Sequence, residues 1–271
     1  MSTFNYLNKN IYYEVHGTGK PLVMLNGIMM STKSWLPFVK ELSRYNQLIL
    51  VDFLDQGQTD KMIGIDYKHD VQVELVEELC KHLGLQDICL FGISYGGEIA
   101  IQYALKYQHR VNRLLLFNTT AKTSPWLEEV GNAWILASNN PENYYSTAIP
   151  VIYSPLFYER EISWMNKRKE VLLNVFSDTN FIQAMERLTK SSNGYNVVEE
   201  VENISVPTLI VSSEYDFVTP RNEQDILKEK IKDSSYVIIP SAGHASMYEQ
   251  PNIFVSLILG FVLIEETRYN I

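Results

Sequence analysis

The stretch of sequence that decides the fold is Phe91-Gly92-Ile93-Ser94-Tyr95-Gly96-Gly97. An apolar run before it predicts a strand over Asp87–Phe91, and the periodicity after it predicts a helix over Glu98–Tyr107. A G-x-S-x-G motif between a strand and a helix is typical of a nucleophile elbow, which lifts its serine above the sheet. Because neighbouring chain crowds such a turn, we expect glycine to be required at positions 92 and 96. The serine then lies at a helix N-terminus, where free N–H groups favour developing negative charge.

Short apolar runs alternate with helical periods on both sides of this motif. The predicted strands are Ile11–Val15, Pro21–Leu25, Gln47–Asp52, Asp87–Phe91, Val111–Phe117, Pro207–Val211 and Tyr236–Ile239. The predicted helices are Ser34–Leu42, Val71–Leu83, Glu98–Tyr107, Pro220–Ile231 and Pro251–Ile264. Strands that alternate with helices of this length indicate an α/β fold, in which a parallel sheet is covered on both faces.

The alternation stops between residues 119 and 203, where no clear strand is predicted. This segment is rich in aromatic residues, and four prolines divide it into short helices. The α/β pattern then resumes, so we predict one core with an insertion rather than two sequential domains. The predicted boundaries are a core of residues 1–118 and 204–271 and a helical cap of residues 119–203. Such an insertion often covers a site formed at the strand ends.

A serine nucleophile needs a base and an acid that orients the base. Of the five histidines, His244 is the one that follows the last predicted strand, at the carboxyl edge of the sheet. A loop there can hold an imidazole over Ser94. The acid is expected between the two in sequence, and Asp216 lies in the loop that follows the strand ending at Val211. Glu214, two residues closer to that strand, is the alternative acid.

Taken in chain order, the Gly92–Gly96 motif, Asp216 and Gly243-His244 resemble the α/β-hydrolase superfamily. The resemblance extends from Ile11 to the last helix. It implies a mostly parallel sheet of eight strands flanked by helices, with a helical cap inserted after the sixth strand. It also implies a catalytic triad of Ser94, His244 and Asp216, and no cofactor.

The same resemblance implies an oxyanion hole made by two backbone N–H groups. One belongs to Tyr95, the residue after the serine, and the other to Ile28 in the loop after an early strand. Members of the superfamily commonly have His-Gly in that loop, where this chain has Asn26-Gly27. The departure changes how the loop is held or places an amide near the substrate. The residues predicted to contact the substrate are Asn26, Met29, Trp126 and Met247.

Composition excludes several classes of function. The net charge is −9, from 32 acidic and 23 basic residues, which disfavours nucleic acid as a partner. The longest apolar stretch, Ile253–Ile264, is shorter than the roughly 20 residues that a membrane-spanning helix needs. Together with the absence of a recognisable targeting segment, this predicts a cytoplasmic protein without a membrane partner. No metal-binding or nucleotide-binding motif is recognised, so no metal is expected.

The residues therefore predict a serine hydrolase that cleaves an ester-type acyl bond of a small, largely apolar substrate through an acyl-enzyme, like a carboxylesterase or lactonase. A thioesterase or acyltransferase acting on a carrier-bound or CoA-bound acyl group is an alternative. The acidic net charge favours a small neutral substrate over an acidic carrier, unless Lys167-Arg168-Lys169 forms a local basic patch. A third possibility is a non-catalytic ligand-binding protein. A thioester and a carbon–carbon bond remain open as targets, as does the oligomeric state.

Overall fold

The computed structural model describes residues 2–264, and one sheet of eight strands forms its centre. The strands are β1 (Ser2–Tyr6), β2 (Lys9–His16), β3 (Lys20–Leu25), β4 (Asn46–Val51), β5 (Ile88–Ile93), β6 (Val111–Phe117), β7 (Thr208–Ser213) and β8 (Ser234–Ile239). Their order across the sheet is β1-β2-β4-β3-β5-β6-β7-β8. Strands β3 to β8 run parallel, whereas β2 is antiparallel to both of its neighbours. The predicted mostly parallel sheet is confirmed.

Strand β1 is not among the seven strands that the residue pattern predicts. The expectation of an eighth strand comes from the resemblance to the α/β-hydrolase superfamily. Strand β1 lies at the sheet edge and pairs only with β2. Of its five residues, only Phe4 is buried, opposite Ile11. A polar edge strand with one inward-facing side chain carries too little alternation to be recognised. Met1 and residues 265–271, which the predicted core boundaries include, lie outside the described residues.

Helices cover both faces of this sheet. They are α1 (Val39–Leu42), α2 (His69–Leu83), α3 (Tyr95–Tyr107), α9 (Arg221–Lys230), α10 (Ser246–Glu249) and α11 (Pro251–Val262). Buried residues of α2, α3 and α9 belong to one apolar layer, and those of α1 and α11 belong to the second. The predicted helix Ser34–Leu42 is instead a 3-10 turn, Thr32–Trp35, followed by α1. Pro37 lies at the division, and it has no N–H to donate to the hydrogen-bond ladder of a continuous helix.

The C-terminal apolar stretch forms α11, as predicted for a buried terminal helix. It packs Phe254, Ile258 and Val262 into the second apolar layer. Within residues 2–264, no helix has both the length and the apolar content needed to cross a membrane.

Residues 119–203 contain five α-helices, a 3-10 turn at Val201–Asn203 and none of the eight strands. The helices are α4 (Pro125–Ala137), α5 (Pro141–Ile152), α6 (Pro155–Arg160), α7 (Ile162–Phe176) and α8 (Thr179–Ser191). Three of them begin with proline directly after a capping side chain, which explains how the sequence divides this segment. Its buried aromatics form a third apolar cluster that also includes Val218 and Ala245 of the core. We call these five helices the cap.

Candidate active site

The turn between β5 and α3 has the geometry expected of a nucleophile elbow. Ser94 has φ 54° and ψ −125°, a backbone conformation that non-glycine residues rarely adopt. A Cβ at Gly92 would come within 3.0 Å of the Gly96 backbone, and one at Gly96 within 3.0 Å of the Leu25 carbonyl. Glycine is therefore required at both positions by close packing of the chain. The result is a serine side chain that projects from the turn at the first residues of α3.

Strand β6 holds this turn from the side. The Ser94 N–H donates to the Phe117 carbonyl at 3.0 Å, and the Ser94 carbonyl accepts from Thr119 Oγ1 at 2.8 Å. The Thr119 side chain also occupies the space beside Gly97, where a Cβ would meet it within 3.0 Å. Thr119 is thus a supporting residue that the sequence did not reveal, because its contact depends on how β6 ends beside β5.

The structure brings Ser94, His244 and Asp216 together into one hydrogen-bonded chain. His244 Nε2 lies 2.9 Å from Ser94 Oγ, and His244 Nδ1 lies 2.8 Å from Asp216 Oδ2 and 3.0 Å from Asp216 Oδ1. The Asp216 side chain has no exposed surface, and that of His244 is 10% exposed. A serine hydroxyl, an imidazole and a buried carboxylate in this order can move a proton from the serine to the imidazole.

The two carboxylates considered for the acid lie in different environments. Asp216 Oδ1 accepts the N–H groups of Val218 and Thr219 at 2.9 Å each, and Asp216 Oδ2 accepts from Thr219 Oγ1 at 3.0 Å. These donors fix the carboxylate against the imidazole. Glu214 is exposed and accepts the Ser241 N–H at 2.8 Å. Only Asp216 is therefore in contact with His244.

The loop that carries His244 is held by both the core and the cap. From the core, Asn118 Nδ2 donates to the His244 carbonyl at 2.8 Å. The Glu249 carboxylate accepts the Gly243 N–H and the Ser154 N–H, each at 3.0 Å. The Ala245 N–H donates to the carbonyl of Ile152 in α5 at 3.0 Å. The imidazole is thereby positioned by hydrogen bonds to the main chain of its loop, which come from both parts of the chain.

The loop after β3 brings Ile28 to the same cavity as Ser94. Both Ile28 and Tyr95 line one cavity with Ser94, and no acceptor within residues 2–264 takes either N–H. Gln56 Nε2 holds the loop by donating to the carbonyls of Gly27 and Ile28, at 2.8 and 3.3 Å. Two free N–H groups in this position can stabilise an oxyanion.

Asn26, which stands where the superfamily commonly has histidine, is fully buried. Its Nδ2 donates to the Val51 carbonyl at 2.8 Å and to Gln56 Oε1 at 3.0 Å. Its Oδ1 accepts from Trp35 Nε1 at 2.7 Å. The expectation that Asn26 contacts the substrate does not match this position, because its amide is used entirely in holding the loop.

Ser94 lines two cavities. The larger has a volume of about 110 Å³ and is mostly apolar; its lining includes Met29 and Met247, as the sequence predicted. The smaller has a volume of about 50 Å³. Trp126 lines neither of them: it is 53% exposed and donates from Nε1 to the Phe217 carbonyl at 2.8 Å. Trp126, which the sequence predicts to contact the substrate, therefore lies outside both cavities.

A buried carboxyl group, Glu98, lines the smaller cavity and was not singled out from the sequence. Glu98 Oε2 accepts from Ser192 Oγ at 3.1 Å and lies 3.3 Å from His69 Nε2. Burial raises the pKa of Glu98 to about 8 and lowers the pKa of His69 to about 3. The pair is therefore uncharged at neutral pH and is held by hydrogen bonds, including one at 2.8 Å between Gln102 Nε2 and His69 Nδ1.

The fold and this arrangement of side chains define a hydrolase of the α/β class. A family model for the alpha/beta hydrolase fold matches residues 20–251, and the chain belongs to the α/β-hydrolase family of enzymes. The crystal structure of MGS-M2, an alpha/beta hydrolase enzyme from a Medee basin deep-sea metagenome library, is 46% identical to this chain. That similarity covers 100% of both chains, with a TM-score of 0.97.

Two curated relatives are similar over most of their length. The proline iminopeptidase of Saccharolobus solfataricus is 29% identical over 93% of this chain and 89% of that protein. The pimeloyl-[acyl-carrier protein] methyl ester esterase of Nitrosomonas europaea is 26% identical over 91% of this chain and 97% of that protein. These relatives are hydrolases with different substrates, so the similarity supports hydrolysis as the activity.

Proposed function

We propose that this enzyme is a serine hydrolase that cleaves an ester-type acyl bond through an acyl-enzyme intermediate. The observation that carries the proposal is the chain of contacts from Ser94 Oγ to His244 Nε2, at 2.9 Å, and from His244 Nδ1 to Asp216 Oδ2, at 2.8 Å. In this proposal residues 1–118 and 204–271 form the catalytic core, and residues 119–203 cover the site as a cap.

The reaction begins when Ser94 Oγ attacks the acyl carbonyl and His244 Nε2 takes the hydroxyl proton. The N–H groups of Ile28 and Tyr95 stabilise the tetrahedral oxyanion, each by about 3 kcal/mol. The bond to the leaving group breaks, and His244 gives its proton to that group. A water molecule then attacks the acyl-enzyme while His244 takes its proton. The acyl bond to Ser94 breaks, His244 returns the proton to Ser94 Oγ, and the carboxylic acid product leaves. Asp216 holds the imidazole in the required tautomer and stabilises its charged form.

The lining of the larger cavity supports a small acyl substrate with an apolar body. Met29, Met247, Ile149 and Leu172 contribute side chains to it. One curated relative is named as an esterase of a methyl ester, which agrees with an ester-type bond. Apolar contact with such a lining stabilises a bound acyl chain by about 0.8 kcal/mol for each buried CH₂ group.

A carrier-bound thioester is less well supported. The segment Lys167-Arg168-Lys169 was the candidate basic surface for an acidic carrier protein. Lys169 Nζ pairs with Glu142 at 3.1 Å, and Arg168 lines the larger cavity. Lys167 is the exposed residue of the three, so these residues do not present a continuous basic surface.

A panel of nitrophenyl esters, lactones and acyl-thioesters, assayed with wild type and Ser94→Ala, tests the proposal. We expect ester hydrolysis in wild type and its loss in the variant. A fluorophosphonate probe supplies an independent readout, because it should label wild type and not Ser94→Ala. Retention of most activity in Ser94→Ala, or no labelling of folded wild type, would contradict the proposal.

A further inference from the structure

One cation faces the cavity that contains Ser94 and His244. Arg168, on α7 of the cap, lines the larger cavity together with both of these residues. It is the only Lys, Arg, Asp or Glu side chain among the residues that line this cavity within the described part of the chain. The remaining lining is largely apolar, so the Arg168 guanidinium is the group in this lining that can pair with an anionic group on a bound molecule.

Arg168 has no anionic partner within residues 2–264. No carboxylate oxygen lies within 4.0 Å of its nitrogen atoms, and its Nε–H is buried without a hydrogen-bond acceptor. Its neighbours are instead two aromatic rings, with the guanidinium carbon 4.8 Å from the centre of Tyr248 and 5.3 Å from the centre of Trp164. The two rings hold the planar group by cation–π contact, the guanidinium also acts on the neighbouring Tyr153 hydroxyl, and the Nε–H is left without an acceptor.

Of the three other half-buried arginines within residues 2–264, Arg187 and Arg110 are paired with carboxylates, whereas Arg113 donates from Nη2 to the Ile264 carbonyl at 2.8 Å. Arg187 Nη2 lies 2.6 Å from Asp55 Oδ1, and Arg110 Nε lies 2.9 Å from Glu77 Oε2. A guanidinium taken out of water loses hydration that an ion pair restores. Arg168 lacks that compensation, although the chain carries 32 acidic residues that could have supplied it. The guanidinium therefore has no counter-charge of its own within residues 2–264 and can pair with an anionic group of a bound molecule.

We propose that the substrate carries a carboxylate group, which Arg168 binds while Ser94 attacks the acyl carbonyl. This inference rests on the proposed hydrolase function and refines its substrate class from apolar to apolar with one anionic end. A carboxylate offers two acceptor oxygens in the plane of the guanidinium fork, whereas a neutral ester offers no counter-charge. The net charge of −9 does not oppose this binding, because a cation inside a low-dielectric cavity dominates the local potential.

Two matched pairs of esters test the proposal, one for each side of the scissile bond. Mono-4-nitrophenyl glutarate against 4-nitrophenyl valerate places the charge on the acyl side. 4-Acetoxybenzoate against 4-methylphenyl acetate places the charge on the leaving group. The measured quantity is the ratio of kcat/KM for the anionic ester to kcat/KM for the neutral ester. Dividing the ratio in wild type by that in Arg168→Met removes the intrinsic reactivity of each ester.

We expect Arg168→Met to lower that ratio by about 10- to 100-fold in at least one pair, because hydrogen bonds between charged groups are stronger than neutral ones. Arg168→Lys should lower it less, since the charge remains but the fork is lost. Lys167→Met is the matched control: it removes one positive charge from the same helix at an exposed position and should leave both ratios unchanged. Unchanged ratios in Arg168→Met, or equal losses in Lys167→Met, would overturn the proposal.

A binding measurement separates this proposal from the catalytic one. In the Ser94→Ala background, calorimetry should show that monomethyl glutarate binds more tightly than methyl valerate, and that Arg168→Met removes the difference. If wild type hydrolyses no ester but this binding preference is present, the proposed chemistry fails and the carboxylate site stands. If esters are hydrolysed and no preference is found in binding or turnover, the carboxylate site fails alone.

Discussion

Replacing Gln56 by alanine tests how the loop after β3, which carries the Ile28 N–H of the proposed oxyanion hole, is held. Gln56 Nε2 donates to the Gly27 and Ile28 carbonyls, and Gln56 Oε1 accepts from Asn26 Nδ2 at 3.0 Å and from the Phe53 N–H at 3.4 Å. The Gly27 carbonyl still accepts the Met30 N–H in the variant. The main losses are therefore the 2.8 Å hydrogen bond from Gln56 Nε2 to the Gly27 carbonyl and the acceptor of the buried Asn26 Nδ2 group.

We estimate the cost of these losses as about 2–3 kcal/mol of the free energy of unfolding, since an unpaired buried polar group costs about 1–3 kcal/mol. The effect on catalysis has a different origin. The Ile28 N–H shares its peptide plane with the Gly27 carbonyl, which in the variant is held by the Met30 N–H alone, so the Ile28 N–H points less steadily at the proposed oxyanion. Loss of one such donor lowers kcat by about 10²- to 10³-fold, so partial misplacement should lower kcat by about 10- to 100-fold.

The assay is steady-state hydrolysis of a nitrophenyl ester, with urea denaturation run on the same preparations. We expect kcat to fall while KM changes by less than about threefold, because the lost interaction acts mainly in the transition state. Gln58→Ala is the matched control, since Gln58 is exposed two residues away. A folded Gln56→Ala protein with unchanged kcat would refute the reasoning, as would an equal fall in Gln58→Ala.

Three further outcomes are expected from the site. Ser94→Ala should lower kcat by about 10⁴-fold or more with the fold retained, as measured by ester hydrolysis and circular dichroism; substantial remaining turnover would assign the nucleophile elsewhere. Asp216→Asn should lower kcat by about 10⁴-fold, whereas Glu214→Gln should change it by less than about threefold; the reverse ranking would make Glu214 the acid. Glu98→Gln should change how stability depends on pH, as measured by urea denaturation from pH 6.5 to pH 8.

The sign of the Glu98 effect follows from its raised pKa. Between the ordinary value of 4.5 and about 8, the folded protein holds a proton on Glu98 that the unfolded chain has released. Stability therefore falls as pH rises through this window. The lowered pKa of His69 acts oppositely, but only below its ordinary value of 6.5. From pH 6.5 to 8 wild type should lose about 1–2 kcal/mol more than Glu98→Gln, and parallel curves would show that Glu98 is ionised throughout.

The parts of this protein that were predictable from the sequence are those with a local physical cause. The elbow could be recognised because its motif is contiguous and Gly92 is required by contact with the Gly96 and Gly97 backbone, although Gly96 itself faces Leu25 at the end of β3. The relation of Asp216 to His244 followed from topology, since loops at the carboxyl ends of β7 and β8 lie side by side.

What could not be predicted depends on contacts between distant segments. Asn26 resembles a substrate contact in sequence, and only the positions of Trp35 and Gln56 show that its amide is fully used. The pair of Glu98 and His69 joins α3 to the start of α2, and neither helix alone indicates that pairing. Arg168 was interpreted as surface charge, because the direction of a side chain on an aromatic-rich helix depends on packing with Tyr248.

The hydrogen bonds between the cap and the histidine loop limit how this enzyme can be remodelled. The Ile152 carbonyl and the Ser154 N–H fix the loop on which His244 depends. A cap that swung away as a rigid lid at this end would withdraw the base from Ser94, so access for substrate has to open at other edges of the cap. For the same reason, a chimera that exchanges residues 119–203 for those of a relative must reproduce the backbone path at positions 152–154. A change at this junction would therefore alter both the cap that covers the site and the position of His244, the proposed base.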